Sequence, residues 1–307
     1  MLTLRIFLLF CLISAGFSRR IEKVDDSELV SLIKSEDQVV VLFSKENCEK
    51  CEELEDTLEN IQDELRESLG CGIVKVQNSQ MTAIYDPSKE PSLVFFRRGI
   101  PLLYEGNNNG DEITQLFADN QEPVVKELSD STFEHLTQAS TGATTGDWFV
   151  FFYSSDCHSC RRLFAIWEGV GAVLKRKMNV ARVNRLQGGI LTAKRFNIEE
   201  SPVFIFIRQG KVYRYKGKDL TIKGFVNFID NLHTSKVKPD PVPPVTVSGL
   251  RELAQPYLKL IMENPNYQLY AGGAIAVLLL IIIASRALKS KKPPTKSSKP
   301  TDKKKKK

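Results

Sequence analysis

The chain has 307 residues, which allows about two domains of ordinary size. Its net charge of +6 is local, because residues 286–307 hold eleven Lys or Arg against one Asp and leave residues 1–285 at −4. The folded part therefore lacks the basic character of a nucleic-acid-binding domain, and no nucleic-acid partner is predicted.

The N-terminus has the pattern of a secretory signal peptide, which we predict at residues 1–18. Arg5 precedes the apolar run Ile6–Ile13, and the small residues Gly16 and Ser18 follow where a signal peptidase would cleave. Because the run is too short to span a bilayer comfortably, a cleaved signal is favoured over an anchor or a buried helix. A signal peptide predicts entry into the secretory pathway, where disulfides persist.

Two C-x-x-C pairs stand in the same local setting. Cys48 and Cys51 follow the apolar run QVVVLF, Cys157 and Cys160 follow WFVFFY, and each pair precedes apolar residues at helical spacing. Each pair is therefore predicted where a strand turns into a helix. There the first cysteine faces unpaired backbone amides and the positive end of the helix dipole, which stabilise a thiolate. The thiolate is the species that attacks a disulfide.

The cysteines also admit other uses. A zinc site would need both pairs, but the gap from Cys51 to Cys157 is far longer than zinc-ribbon spacing, so no metal is predicted. A structural disulfide in a recognition domain stays open as an alternative, and no cofactor is predicted. Cys71 is predicted to be a buried apolar side chain, with a regulatory thiol as the alternative.

A second apolar stretch lies near the C-terminus, after a Pro-rich and juxtamembrane linker at residues 236–263. Residues 264–285 carry no charge, and this stretch is long enough for a helix of about 30 Å. We predict a transmembrane helix at residues 264–288. The basic tail at residues 289–307 then lies in the cytosol, which makes the chain a single-pass type I membrane protein with a lumenal N-terminus.

The tail carries a candidate address signal. Lys304 and Lys305 stand four and three residues from the end, which resembles the dilysine retrieval signal of endoplasmic reticulum membrane proteins. Coat proteins would be the partners of such a signal. Attraction to anionic lipid and a solvated tail without a partner are the alternatives, and the predicted endoplasmic reticulum location depends partly on this choice.

The two C-x-x-C settings belong to an internal repeat. Cys48 and Cys157 are 109 residues apart, while Pro91 and Pro202, which open two similar segments, are 111 apart. A period this long indicates a duplicated domain with its own core rather than a solenoid repeat. The predicted domains are residues 21–120 and residues 123–235.

This combination resembles the thioredoxin fold, and with the flanking segments it is similar to the thioredoxin-related transmembrane group of protein disulfide isomerases. The resemblance implies an α/β fold of two tandem thioredoxin-like domains, each a central mixed β-sheet flanked by helices. It implies catalytic roles for Cys157, Cys160, Cys48 and Cys51. It also implies a substrate-binding cis-proline loop in each domain, formed by Ser201 and Pro202 and by Glu90 and Pro91.

Two departures from the family pattern bear on activity. The buried acid that usually lies six residues before the first cysteine is replaced by Leu42 and Phe151. His158 and Arg161 would stabilise the Cys157 thiolate and lower its pKa, so the second domain is expected to be the stronger redox centre. The first domain is also shorter between its strand and its proline, which predicts an altered helix there.

The predicted function is thiol–disulfide exchange or isomerisation on folding secretory or membrane proteins. The alternative function is that of a redox-poor chaperone or adaptor that binds clients through its thioredoxin-like surface. The absence of the buried acid from both domains favours this alternative. In both cases the partners are protein clients, and in the first those clients carry thiols or disulfides.

Overall fold

A computed structural model describes residues 20–85, 91–142, 145–232, 238–245 and 259. The predicted signal peptide, transmembrane helix and basic tail, as well as Glu90, lie outside these residues. Within them, no helix is long and apolar enough to cross a membrane. Both β-sheets belong to one compact unit that ends at Val245.

The first domain is a five-stranded mixed sheet with helices on its faces. Its strands lie in the order β1-β3-β2-β4-β5, with β1, β3 and β2 parallel and β4 and β5 antiparallel to their neighbours. Its elements are β1 (Glu22–Lys23), α1 (Asp26–Ser35), β2 (Gln38–Ser44), α2 (Glu49–Leu69), β3 (Gly72–Gln77), α3 (Thr82–Tyr85), β4 (Ser92–Arg97), β5 (Ile100–Tyr104) and α4 (Gly110–Asp119).

The second domain repeats this topology with one added edge strand. Its strands lie in the order β11-β10-β9-β7-β8-β6, and the central β7 is parallel to β8 and antiparallel to β9. Its elements are β6 (Lys126–Leu128), α5 (Phe133–Thr137), a 3-10 turn (Ala139–Thr141), β7 (Trp148–Tyr153), α6 (His158–Leu174), β8 (Asn179–Asn184), α7 (Ile190–Arg195), β9 (Val203–Arg208), β10 (Lys211–Arg214), α8 (Ile222–Asp230) and β11 (Asp240–Pro241). The prediction of two thioredoxin-like α/β folds is confirmed.

Local chemistry explains the element boundaries. The long helix α2 ends at Gly70, whose φ of +66° suits glycine and whose N–H donates to the carbonyl of Arg66. The β4–β5 turn holds Arg98 and Gly99 at φ of +48° and +77°, the geometry of a tight hairpin that matches the strand twist. The β9–β10 turn repeats that geometry, so the two similar segments opened by Pro91 and Pro202 both form hairpins.

The two domains share part of their core, which differs from the expectation of one core per domain. One cluster of buried apolar residues runs from β2 and β4 of the first sheet, through Leu103 on β5, into α6 and α8. The helix α6 contacts β5 and α3 of the first domain as well as β8 and α8 of its own. Most of its second half is buried, as expected for a helix enclosed between two layers.

Two features mark the contact of α6 with the first domain. The described part of α3 is the four residues up to Tyr85, where the described stretch ends, and it contacts α6. Gly169 has no side chain at the contact, and a Cβ there would lie 2.2 Å from Cδ1 of Ile222 and 3.4 Å from the carbonyl oxygen of Leu103. The helix α6, which begins at the second C-x-x-C pair, is therefore packed directly against the first domain.

Candidate functional site

The second C-x-x-C pair forms a disulfide at the start of α6. The sulfur atoms of Cys157 and Cys160 are 2.06 Å apart. Cys157 is the N-cap residue of the helix, and its Sγ accepts a hydrogen bond from the backbone N–H of Cys160 at 3.1 Å. Cys160 is buried while Cys157 is partly exposed. Only Cys157 is therefore accessible to a thiol or disulfide of another protein.

The first pair has the same arrangement at the start of α2. Cys48 and Cys51 form a disulfide with sulfurs 2.13 Å apart. The Sγ of Cys48, also the N-cap residue, accepts from the backbone N–H of Cys51 at 3.2 Å. Cys51 is buried and Cys48 is partly exposed. The structure therefore places all four cysteines where a helix N-terminus can stabilise the thiolate of the outer one.

The two helices differ in the charge of their first turn. The first turn of α2 contains Glu49 and Glu52, whereas the first turn of α6 contains no acid. Arg161 follows Cys160 directly and is exposed, as is His158. Negative side chains oppose a neighbouring thiolate and positive ones support it. The charges of the first helical turn therefore favour a thiolate at Cys157 over one at Cys48.

The predicted cis-proline loop of the second domain adopts that geometry. The Ser201–Pro202 peptide bond is cis, and both residues are partly exposed. In the first domain Pro91 is described and partly exposed, whereas Glu90, and with it the bond between them, lies outside the described residues. Pro202 leads into β9 and Pro91 into β4, each beside the central strand that precedes the C-x-x-C pair.

Arg185, which no sequence motif indicated, contacts this loop. Its Nε donates to the Oγ of Ser201 at 2.9 Å. A hydrogen bond from Ser154 holds the pKa of Asp156 below its usual value, with smaller contributions from the charges of Arg185 and His158. Arg185 is thus near both the cis-proline loop and the residue before Cys157.

The position of Arg185 follows from the sheet register. Its N–H donates to the carbonyl of Tyr153, the last residue of β7, just as Asn78 pairs with Ser44 at the end of β2. Because ligands of α/β sheets bind at the carboxyl ends of parallel strands, a charged residue directly after β8 was a usable signal. The matching residue of the first domain, Asn78, is neutral.

The two residues that stand where the family usually has a buried acid are themselves buried and apolar. Leu42 and Phe151 have no exposed surface, and the Phe151 ring stacks on Phe204 with centroids 4.9 Å apart. Each lies opposite a basic residue on the next strand, Lys75 or Arg182. Those bases pair with other acids, Lys75 with Glu55 and Arg182 with Glu127.

The fifth cysteine of the described residues, Cys71, forms no disulfide. Cys71 is free and buried among apolar residues of the first domain, and this burial raises the pKa of its thiol to about 11. A thiol held in its neutral form is a poor nucleophile at neutral pH. In the described part of the chain, no group of three or more His, Cys, Asp or Glu side chains could hold a metal ion.

Comparisons with known proteins agree with this geometry. The thioredoxin family model matches residues 124–231. A thioredoxin domain-containing protein of Theileria parva is 42% identical over 101 residues, which is 33% of this chain and 46% of that protein. The mouse DnaJ homolog subfamily C member 10 is 28% identical over 134 residues, 43% of this chain and 16% of that protein. The bovine protein disulfide-isomerase A4 is 23% identical over 208 residues, 63% of this chain and 31% of that protein.

The two sheets and the two capped C-x-x-C disulfides are those of thioredoxin-like domains, and the family model places one thioredoxin domain at residues 124–231. The chain therefore carries a thioredoxin domain there and is similar over part of its length to the bovine protein disulfide-isomerase A4. The matched segments span less than half the length of each of these three relatives.

Proposed function

We propose that the chain catalyses thiol–disulfide exchange on client proteins, chiefly through Cys157 and Cys160. The observation that carries this proposal is the position of Cys157, partly exposed at the N-cap of α6 with its sulfur on a backbone amide. A purely structural disulfide gains nothing from one accessible sulfur on a helix N-terminus. The isomerase name of the bovine relative supports the same activity.

The reductive direction has two steps. The thiolate of reduced Cys157 attacks one sulfur of a client disulfide, and the other client sulfur leaves with the electron pair of the broken bond. Cys160 then attacks the Cys157 sulfur in the mixed disulfide, which releases the client as a dithiol and leaves Cys157 and Cys160 oxidised. Oxidation of a client dithiol runs the same steps in reverse.

The proton of Cys160 needs an acceptor in the second step. Phe151 occupies the position of the buried acid that usually serves, and it is fully buried and apolar. We therefore assign the departing client thiolate as the acceptor, since it forms beside Cys160 in the same step. This route predicts that resolution depends on the acidity of the client thiol.

A binding function without redox turnover is the second candidate. The fully buried Leu42 and Phe151 favour it, because both domains lack the usual proton carrier. In this case the disulfides would stay closed and the exposed cis-proline loop would only hold clients. The two candidates differ in whether the pairs can be reduced and reoxidised under mild conditions.

Trapping of mixed disulfides tests the exchange function. In the full chain, Cys160→Ala removes the resolving thiol, so adducts between Cys157 and a disulfide-containing test substrate such as insulin should accumulate. The matched variant Cys51→Ala should accumulate fewer adducts at Cys48. Absence of adducts with both variants, while Cys157 and Cys48 still react with a small alkylating reagent, would overturn the proposal in favour of a binding module.

We further propose that the chain is anchored in the endoplasmic reticulum membrane through residues 264–288. The uncharged run in the sequence, the basic tail and the dilysine-like Lys304 and Lys305 support this location. A fluorescent fusion should resist carbonate extraction and stay in the endoplasmic reticulum, whereas Lys304→Ala with Lys305→Ala should move to later compartments. Extraction by carbonate, or an unchanged location of the double variant, would contradict the anchor or the coat-protein signal respectively.

A further inference from the structure

A groove of about 800 Å³ lies between the two domains. One wall comes from β5 and α4 of the first domain, and the other from α6 and α8 of the second. Because α6 and β5 are in contact beneath it, the groove has a continuous floor made by both domains.

The floor of the groove is apolar. Leu102, Leu116, Ala172 and Val226 line it, together with Val173. Val173 is 49% exposed, although valine on a packed helix is normally covered. A cleft with apolar walls formed by two domains is a common place for a ligand to bind.

The rim of the groove is acidic. Glu105, Asp111, Glu112 and Asp119 lie along the first-domain side, and among the described residues that line the groove only Lys223 is basic. Potentials across protein interfaces are usually complementary, so this rim favours a partner with positive side chains. Apolar floor and acidic rim together match a segment that carries both apolar and basic residues.

The groove continues toward the first C-x-x-C pair. A smaller cavity of about 250 Å³ is lined by Lys50, which lies between Cys48 and Cys51, and by Pro91. Tyr104, Glu105 and Gly106 line both this cavity and the groove, so the two meet along the end of β5. A bound chain can therefore run from the interdomain groove to Lys50, between the two cysteines of the first pair.

We propose that this groove binds an extended client segment rich in apolar and basic side chains and presents a nearby client cysteine to Cys48. The inference rests on the proposed exchange function and gives the first domain a distinct role, that of selecting clients by sequence. The first turn after Cys48 is acidic, which disfavours the Cys48 thiolate. Binding energy from the groove would offset that disadvantage for clients that fit it.

The test uses peptides that carry a cysteine linked by a disulfide to thionitrobenzoate. The Cys48 thiolate attacks the peptide sulfur, a Cys48–peptide disulfide forms, and coloured thionitrobenzoate leaves with the electron pair. The full chain would carry Cys51→Ala, Cys157→Ala and Cys160→Ala, and mass spectrometry would locate the adduct on Cys48. The three peptides have alternating Leu and Lys, Leu and Glu, or Ser and Lys.

The Leu–Lys peptide should react about fivefold to tenfold faster than either of the others, because it alone satisfies both floor and rim. Val173→Lys should remove most of that preference by adding a charge to the apolar floor. Ile190→Lys is the matched control, since Ile190 is 54% exposed and does not line the groove, and it should leave the preference intact.

Each outcome separates the two proposals. Equal rates for the three peptides, or a preference that survives Val173→Lys, would overturn the groove while leaving thiol–disulfide exchange in place. No thionitrobenzoate release from any peptide, with Cys48 still open to a small alkylating reagent, would instead contradict exchange at this pair.

Discussion

The Nη2 atom of Arg97 lies 3.0 Å from Oε2 of Glu168, and both side chains are 1% exposed. Arg97 ends β4 of the first domain, and Glu168 lies in α6 of the second. The same Glu168 oxygen accepts from the N–H of Val124 at 3.2 Å, while Arg97 donates to the carbonyls of Asn120 and Glu122. This buried ion pair joins the two domains and the segment that connects them.

Breaking the pair should destabilise the protein strongly. Glu168→Gln leaves the charge of Arg97 buried without its counter-ion, which typically costs about 3 to 5 kcal/mol. Burial already lowers the pKa of Arg97, and the charge of Glu168 acts against that shift. Urea unfolding followed by tryptophan fluorescence would measure the change in free energy.

Two variants control that measurement. Arg97→Met with Glu168→Met removes both charges and should recover part of the loss, because no unpaired charge remains. The recovery is only partial because the N–H of Val124 and the two carbonyls that accept from Arg97 lose a partner. Arg98→Gln breaks the neighbouring pair with Glu122, which is largely exposed, and should change stability little. Equal effects of Glu168→Gln and Arg98→Gln would show that the buried pair has no special role.

Reduced Cys157 should react faster than reduced Cys48 with iodoacetamide at about pH 6, where thiolate content limits the rate. The reason is the first turn of each helix, which contains Glu49 and Glu52 after Cys48 but no acid after Cys157. Glu49→Gln with Glu52→Gln should speed alkylation of Cys48 about twofold to fivefold. Glu67→Gln, near the other end of the same helix, should have no effect; a faster Cys48 in the unaltered chain would contradict this account.

Arg185 should assist client exchange at Cys157 by positioning the cis-proline loop. Arg185→Gln removes the donor to Ser201 and the positive charge near Asp156, and should slow mixed-disulfide formation about tenfold. Ser201→Ala removes only the hydrogen bond and should slow it less, while Arg176→Gln, exposed beyond the end of α6, serves as control. If Ser201→Ala and Arg185→Gln slow alkylation by a small reagent as much as client exchange, the loop has no positioning role.

Cys71 should make stability fall in alkali. Burial raises the pKa of its thiol from 9.0 to about 11, so between these values the unfolded chain loses the proton while the folded chain keeps it. The contribution is fully present below pH 9 and is lost as pH rises toward 11, by about 2 to 3 kcal/mol in total. The stability difference between the unaltered chain and Cys71→Ala, measured at about pH 8 and about pH 10.5, should shrink; an unchanged difference would show that Cys71 ionises normally.

Much of the fold could be predicted because the sequence repeats local patterns. The runs before each C-x-x-C pair are the central strands β2 and β7, and the apolar stripe of α2 at Leu54, Leu58, Ile61 and Leu65 is buried as expected. The cysteines cap their helices because strand, turn and helix signals are all local.

The interdomain features could not be predicted in this way. Glu168 lies among apolar residues of α6, and its partner Arg97 is 71 residues away, so neither local periodicity nor charge spacing links them. Their pairing depends on how α6 packs on the shortened first domain. The same packing creates the shared core and the groove, which a repeat-by-repeat comparison leaves out.

The most direct test of the central claim is the redox equilibrium of the Cys157–Cys160 pair. The full chain would be equilibrated in graded glutathione buffers and its thiols trapped, with the state of each cysteine determined by mass spectrometry. An exchange-active pair should show a reversible transition near about −180 mV, the range of disulfide isomerases. A disulfide that stays closed across all buffers, with a potential below about −300 mV, would contradict the account and identify a structural bridge.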